Sequence, residues 1–182
     1  MPPTPDDPRS ALAAADERRT ALADGLRLPA GLHPVIAAAV AVQIGATAYG
    51  IAAQTVTGLV VALAGMAVFA GVAAISLYWF TRTNGVRVDG LTSQIVLGTG
   101  AISTTAYLVA LAAATWAAFD ERWWLVAAAA VSGGAGYALG THRWWHAYRN
   151  DPTAHTGGAS PRVLAALAVV ACVGLVALVA LG

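Results

Sequence analysis

Between Arg27 and Arg82 the chain holds no Asp, Glu, Lys or Arg, an uncharged run more than twice the ~20 apolar residues that one membrane crossing requires. No soluble domain accommodates such a stretch, because its helices and strands must each show water a polar side. The run therefore reads as two spanning helices, 34–54 and 58–80, joined by the short polar segment Gln54, Thr55, Val56, Thr57 and Gly58. Three further uncharged windows follow, Gly90 to Phe119, Trp123 to Thr141 and Val163 to Gly182. They predict spans over 92–119, 123–146 and 161–181. The expected fold is all-α, a polytopic bundle of five transmembrane helices over 31–182, preceded by a cytoplasmic leader over 1–30.

Composition points the same way. Soluble domains have about a quarter of their residues charged and just under half apolar, whereas here the shares are 10% and 58%, with a mean hydropathy of +0.67. There is too little polar surface for water. All 10 basic residues are Arg, and Ala, Val, Leu and Gly dominate the apolar set, the mark of a high-GC bacterial genome and hence of a bacterial plasma (inner) membrane. The single cysteine, Cys172, falls inside the last span, which excludes an internal disulfide and a thiolate zinc cluster. A net charge of +1 gives no electrostatic footprint for nucleic acid. Phosphate-binding loops, nucleophile elbows and dinucleotide fingerprints are missing as well.

Orientation follows from the arginines, since cytoplasmic segments near span ends carry the Lys/Arg excess. Arg9, Arg18, Arg19 and Arg27 precede the first span, Arg82 and Arg87 follow the second, and Arg143, Arg149 and Arg162 lie between the fourth and fifth. With five spans these nine share one side, and only Arg122 falls on the other. The N-terminus is thus expected in the cytoplasm and the C-terminus outside. Aromatic residues stand where interfacial belts belong: Tyr78, Trp79 and Phe80 at the inner end of span two, and Trp116, Phe119, Trp123 and Trp124 at the outer boundary.

The leader predicts one short cytoplasmic helix, opened by Asp7 and Pro8 and closed by Gly25. Its apolar stripe of Leu12, Ala15, Leu22 and Leu26 is interrupted by Arg19, and Asp16, Glu17 and Asp24 oppose anionic lipid, so it reads as a solvated leader. The pair Arg18-Arg19 and the small-residue triplet Ala46-Thr47-Ala48 mimic a cleaved export signal. The apolar run starts too far downstream of the arginines and continues past Ala48, so span one is expected to stay uncleaved.

Ionisable residues are missing from the membrane core of every span, where proton relays and ion-coupled carriers place them. Neutral polar groups remain, densest in span three. Thr99, Ser103 and Tyr107 recur at intervals of four and share a face, with Gln94 nearer the cytoplasmic end. That face predicts either interhelical hydrogen bonding or the lining of a narrow polar pathway. In span four, Ser132-Gly133-Gly134-Ala135-Gly136 with Gly140 leaves one face nearly bare, and close approach of another helix is the expected consequence.

One constellation carries chemistry, the run Thr141 to Asp151 continued by His155. His142 and His146 are four apart, which on a continued helix brings both imidazoles to one face at a spacing that suits a metal ion, with Asp151 or His155 as a further donor. The plainer reading puts Arg143, Trp144, Trp145, Tyr148 and Arg149 at lipid-headgroup level. No catalytic residue and no cofactor is indicated. The leading expectation is a non-enzymatic subunit or scaffold packing with lipid and with other membrane subunits or copies of itself. An oligomeric channel or neutral-solute carrier built on the polar face of span three comes second, and a metal-dependent activity at His142 and His146 third.

Overall fold

The computed structural model describes residues 8–84 and 101–150, together with 169 and 173. Five helices account for nearly all of the two long stretches: α1 (Pro8–Gly25), α2 (Leu32–Ala53), α3 (Val56–Asn84), α4 (Ala101–Phe119) and α5 (Trp123–Asn150). The described protein is all-helical, and three of its helices, α2, α3 and α4 from Ile102, are long and apolar enough to cross a membrane. The segment 92–100 of the expected third span and the expected fifth span 161–181 lie outside the described residues, except that Val169 and Val173 are helical and exposed.

α2 to α5 run alternately up and down, and the joins explain why. The polar segment expected over Gln54 to Gly58 is shorter than its composition suggests. Val56, Thr57 and Gly58 form the first turn of α3, leaving Gln54 and Thr55 as the connection. Gln54 takes a left-handed conformation, φ 48°, and its N–H donates to the Gly50 carbonyl at 3.3 Å. Thr55 caps α3, its Oγ1 accepting from the Gly58 N–H at 3.1 Å, the bond that satisfies a free donor of a first helical turn. Between α4 and α5 the turn is a Schellman motif with Glu121 left-handed at φ 56°. Arg122 N–H reaches the Ala117 carbonyl at 2.9 Å and Glu121 N–H that of Ala118 at 3.1 Å.

α2 is the centre of the bundle, packing on α3, α4 and α5. Its buried residues Ile36, Val40, Ile44 and Ala48 recur every four positions and form the core with Ala114, Ala117, Val126, Ala130 and Tyr137. α3 meets α2 through the stripe Gly58, Ala62, Gly65, Ala73, Ser76 and Phe80. In lipid no hydrophobic force draws one apolar helix to another, so dispersion between closely approaching backbones must do it. The glycines permit that approach. A Cβ at Gly50 would stand 2.6 Å from the Gly58 carbonyl oxygen, and one at Gly65 would stand 2.5 Å from Ala46 Cβ. The bare face of α5 is covered from inside the chain: a Cβ at Gly134 would collide with the Ala37 carbonyl on α2, and one at Gly133 or Gly140 with Ala110 or Ser103 on α4.

The two ends of the bundle differ. At one end the segment after α1 is tied to the last turn of α3, where Arg27 N–H donates to Asn84 Oδ1 at 2.7 Å and Asn84 Nδ2 donates back to the Arg27 carbonyl at 3.0 Å. Asn84 also bonds the Phe80 carbonyl at 2.9 Å. The start of α2 and the end of α5 meet at this end, and α1 touches α5. The opposite end carries Arg122, ion-paired to Asp120 at 3.1 Å, and the exposed aromatics Trp116, Phe119, Trp123 and Trp124. There the Tyr49 and Trp123 rings lie 5.8 Å apart.

Candidate functional site: a polar seam and a histidine cluster

The polar residues of the bundle gather where α2, α4 and α5 meet. Ser103, 1% exposed, donates from its hydroxyl to the Tyr137 carbonyl on α5 at 3.2 Å. One turn further along α4, the half-buried Tyr107 is hydrogen-bonded to the side chain of Gln43 on α2. Gln43 in turn donates from Nε2 to Thr47 Oγ1 at 3.2 Å. Thr141 returns its hydroxyl to its own helix, at 2.8 Å from the Ala138 carbonyl. The four-residue spacing of Ser103 and Tyr107 thus places both on the inward face of α4, each bonded to a different neighbour. Thr99 and Gln94, expected to continue that face, lie outside the described residues.

The Ser103 and Tyr107 bonds are interhelical ties, whereas those of Gln43 to Thr47 and of Thr141 to Ala138 each close within one helix. An unpartnered hydroxyl or amide in hydrocarbon costs several kcal/mol, so each group closes on the nearest acceptor that helix packing offers. Packing leaves Ser103 little freedom, since the Gly140 backbone approaches it so closely that a Cβ there would overlap it.

At the end of the bundle that carries Arg27, Arg82, Arg143 and Arg149, a second group assembles. His33 lies in the first turn of α2, which opens at the left-handed Gly31, φ 79°. Pro34 follows it at a first-turn position where the missing N–H has no intrahelical partner to lose. His142 and His146 occupy successive turns of α5. Their ring centres are 4.5 Å apart with planes at 72°, and the His33 ring stands 5.1 Å from that of His142 with planes at 78°. His33 is half-buried, while His142 and His146 are exposed. Edge-to-face packing aims each ring edge at a neighbouring face. Among the described residues no group of three or more His, Cys, Asp or Glu side chains could hold a metal ion. Asp151 and His155, expected as further donors, lie outside the described residues.

His33 is absent from the sequence-based reading of this site. The signal that finds it is topological: with four crossings between them, an even number, the first residues of span one and the last of span four reach the same membrane face. His33 opens the one and His142 closes the other.

The residues expected at headgroup level separate into two groups. Arg143 and Arg149 are exposed and Trp144 is half-buried, but Trp145 and Tyr148 are turned inward, 6% and 8% exposed. Helical periodicity is the reason, because Tyr137, Thr141, Trp145 and Tyr148 follow one another at intervals of four, four and three and extend the buried stripe of α5. Trp144 stacks on Tyr148 at 5.5 Å with planes at 17°, and Trp145 lies 6.1 Å from the same ring. Leu26 and Leu28, from the segment before α2, pack against the buried core of the bundle.

Between α4 and α5 lies an open apolar groove of about 700 Å³, lined by Ile102, Val109, Ala113 and Ala129 among others, with Thr105 and Ser132 also in the lining. No protein-family model matches the chain, and neither a curated protein nor a solved structure is significantly similar to it.

Proposed function

We propose that this chain is a multi-pass protein of a bacterial inner membrane, crossing it five times with the N-terminus in the cytoplasm and the C-terminus outside, and that it serves as a non-enzymatic subunit. Its partners in this reading are lipid and an apolar helix of a neighbouring membrane subunit or of a second copy. One observation carries the proposal, the division between interior and surface. The interior polar groups Gln43, Thr47, Ser103 and Tyr107 are bonded within the chain, which leaves them to hold helices together and favours packing over a solute pathway. Outward, Val60, Val68, Ile75, Val109 and Val131 are each about half exposed or more, and the α4–α5 groove is open. Five crossings also bring nine of the ten arginines to the cytoplasmic face, as the positive-inside rule requires.

Two measurements test the two halves of this proposal. Alkaline phosphatase fused after Gly182 is expected to be active, and a fluorescent protein at the same point dark; the reverse overturns the topology. The mass of the untagged chain extracted gently from its own membrane is expected to exceed that of one chain by a fixed stoichiometric amount. A monodisperse monomer overturns the subunit role.

A further inference from the structure

We propose that His33, His142 and His146 make the junction between the start of α2 and the end of α5 acid-labile, closed while the imidazoles are neutral and opening locally as they take up protons. This goes beyond a packing role and stands on the way three bases are gathered at one helix–helix contact. His142 is the middle ring, its centre 5.1 Å from that of His33 across the contact and 4.5 Å from that of His146 on its own helix. Neutral rings suit edge-to-face contact. Two imidazolium ions at such a separation repel, and like charges within about 4–6 Å disfavour the charged form.

The surroundings supply no counter-charge to His33. Partial burial first, then His142 and His146, hold its imidazole below the ordinary value of 6.5. His33 precedes the expected span 34–54 and lies in the first turn of α2, the positive end of the helix dipole, which also opposes a cation. The elements around it bear mostly positive groups: Arg82 on α3, Arg27 in the segment before α2, and Arg143 and Arg149 on α5. The described part of α4 has Tyr107 alone, and Tyr78, Tyr107 and Tyr148 are neutral over the imidazole range. α1, which touches α5, carries Asp16, Glu17 and Arg18, but the groups acting on His33 are the two histidines.

The direction of the response follows. Because His33 holds its proton less readily in the closed junction than when freed from it, the open form binds more protons and gains as pH falls. The junction is therefore fully closed above about pH 6.5, the ordinary value, and weakens as pH drops through the lowered value of His33. The part that yields is lightly held. Leu32 N–H donates to the Pro29 carbonyl and Val35 N–H to that of Gly31, each at 3.2 Å, and Pro34 between them has no N–H to add.

Hydrogen exchange of the full chain in detergent, read by mass spectrometry and corrected for the intrinsic pH dependence of exchange, tests the proposal. It does so independently of the topology proposed above, on which this end meets the cytoplasm. Between about pH 8 and about pH 5, the range in which imidazoles change charge, protection of residues 32–36 is expected to fall roughly 5–30-fold, the change that one or two kcal/mol produces. The Gln54–Gly58 turn at the opposite end is expected to keep its protection. The fall should disappear in His33→Gln and shrink in His142→Gln, which alters an exposed position. Equal protection of residues 32–36 at both pH values in the wild-type chain overturns the proposal. A fall retained in full by both variants overturns it as well, by assigning the response to other groups, and one shared by the opposite end does so by showing global unfolding.

Discussion

α2 and α3 are neighbours, both uncharged over their membrane-length portions, and they occupy opposite positions in the bundle. α3 is the more apolar, with a mean hydropathy of 2.4 against 1.8, yet only 22% of its apolar window is buried against 44% for α2. In a water-soluble protein the order would be reversed, because burial there follows apolarity. Lipid removes that rule. Once hydrocarbon is the solvent, Val60, Val68 and Ile75 lose nothing by facing outward, and a helix is drawn to the centre by what lipid cannot satisfy: Gln43, Thr47 and small residues that admit another backbone. Hydropathy thus reports whether a helix inserts, while polar and small residues report where it packs.

The strongest way to break this comparison is to place a charge on the outer face of α3. Val68, 49% exposed, lies near the middle of the expected span 58–80, where an arginine costs about 2.5–3.5 kcal/mol of insertion free energy. Val68→Arg should reduce the fraction of chain recovered in the membrane and lower the unfolding free energy in bicelles, and Val68→Leu should change neither. An arginine tolerated to within ~0.5 kcal/mol, the usual scatter for exposed substitutions, would mean that this face meets water and that apolarity is not the guide to lipid exposure.

A smaller effect sharpens the other half of the comparison. Gly134 on α5 and Gly71 on α3 are both mid-helix glycines in small-residue stretches, but a Cβ at Gly134 collides with the Ala37 carbonyl of α2, whereas a Cβ at Gly71 meets nothing within 4 Å. Gly134→Ala should destabilise the bundle by about 1–3 kcal/mol through overpacking. Gly71→Ala should be neutral or stabilise by up to about 1 kcal/mol, the helix-propensity gain of Ala over Gly. Thermal unfolding of both variants in one detergent decides the matter, and equal destabilisation would show that the central position of α2 is not maintained by close approach.

What the residues reveal in advance follows the same division. The all-helical class and the apolar helices α2, α3 and α4 are legible because an uncharged run is a one-dimensional property. The inward face of α4 is partly legible from the interval between Ser103 and Tyr107, and the bare face of α5 from its glycines, since both depend only on helical period. Trp145 and Tyr148 were open to misreading, because an aromatic residue near a span end suits a headgroup belt and a buried stripe equally, and only the count back to Tyr137 and Thr141 separates them. The short Gln54-Thr55 connection depends on the Thr55 cap, a local bond that composition does not disclose. His33 is the instructive omission: it lies 109 positions before His142 in the chain, and no periodicity joins residues on different helices. Their meeting is a consequence of bundle topology.

The finest test concerns the polar attraction that draws α2 inward. Gln43 is 7% exposed and is the junction of two ties, to Tyr107 on α4 and to Thr47 on its own helix. Such bonds between membrane helices average about 0.6 kcal/mol and rarely exceed ~1.7, because an unfolded helix in lipid also finds partners. Gln43→Leu, close in volume, should therefore destabilise by about 0.6 kcal/mol, part of it from a Tyr107 hydroxyl left without its partner. Adding Tyr107→Phe should restore most of the loss, since removing both partners leaves nothing unsatisfied. The coupling between the two substitutions, read as a double-mutant cycle in bicelles, separates a polar tie from simple packing. Additive losses would mean that α2 is central through its small residues alone, and that the seam follows the packing of the helices instead of directing it.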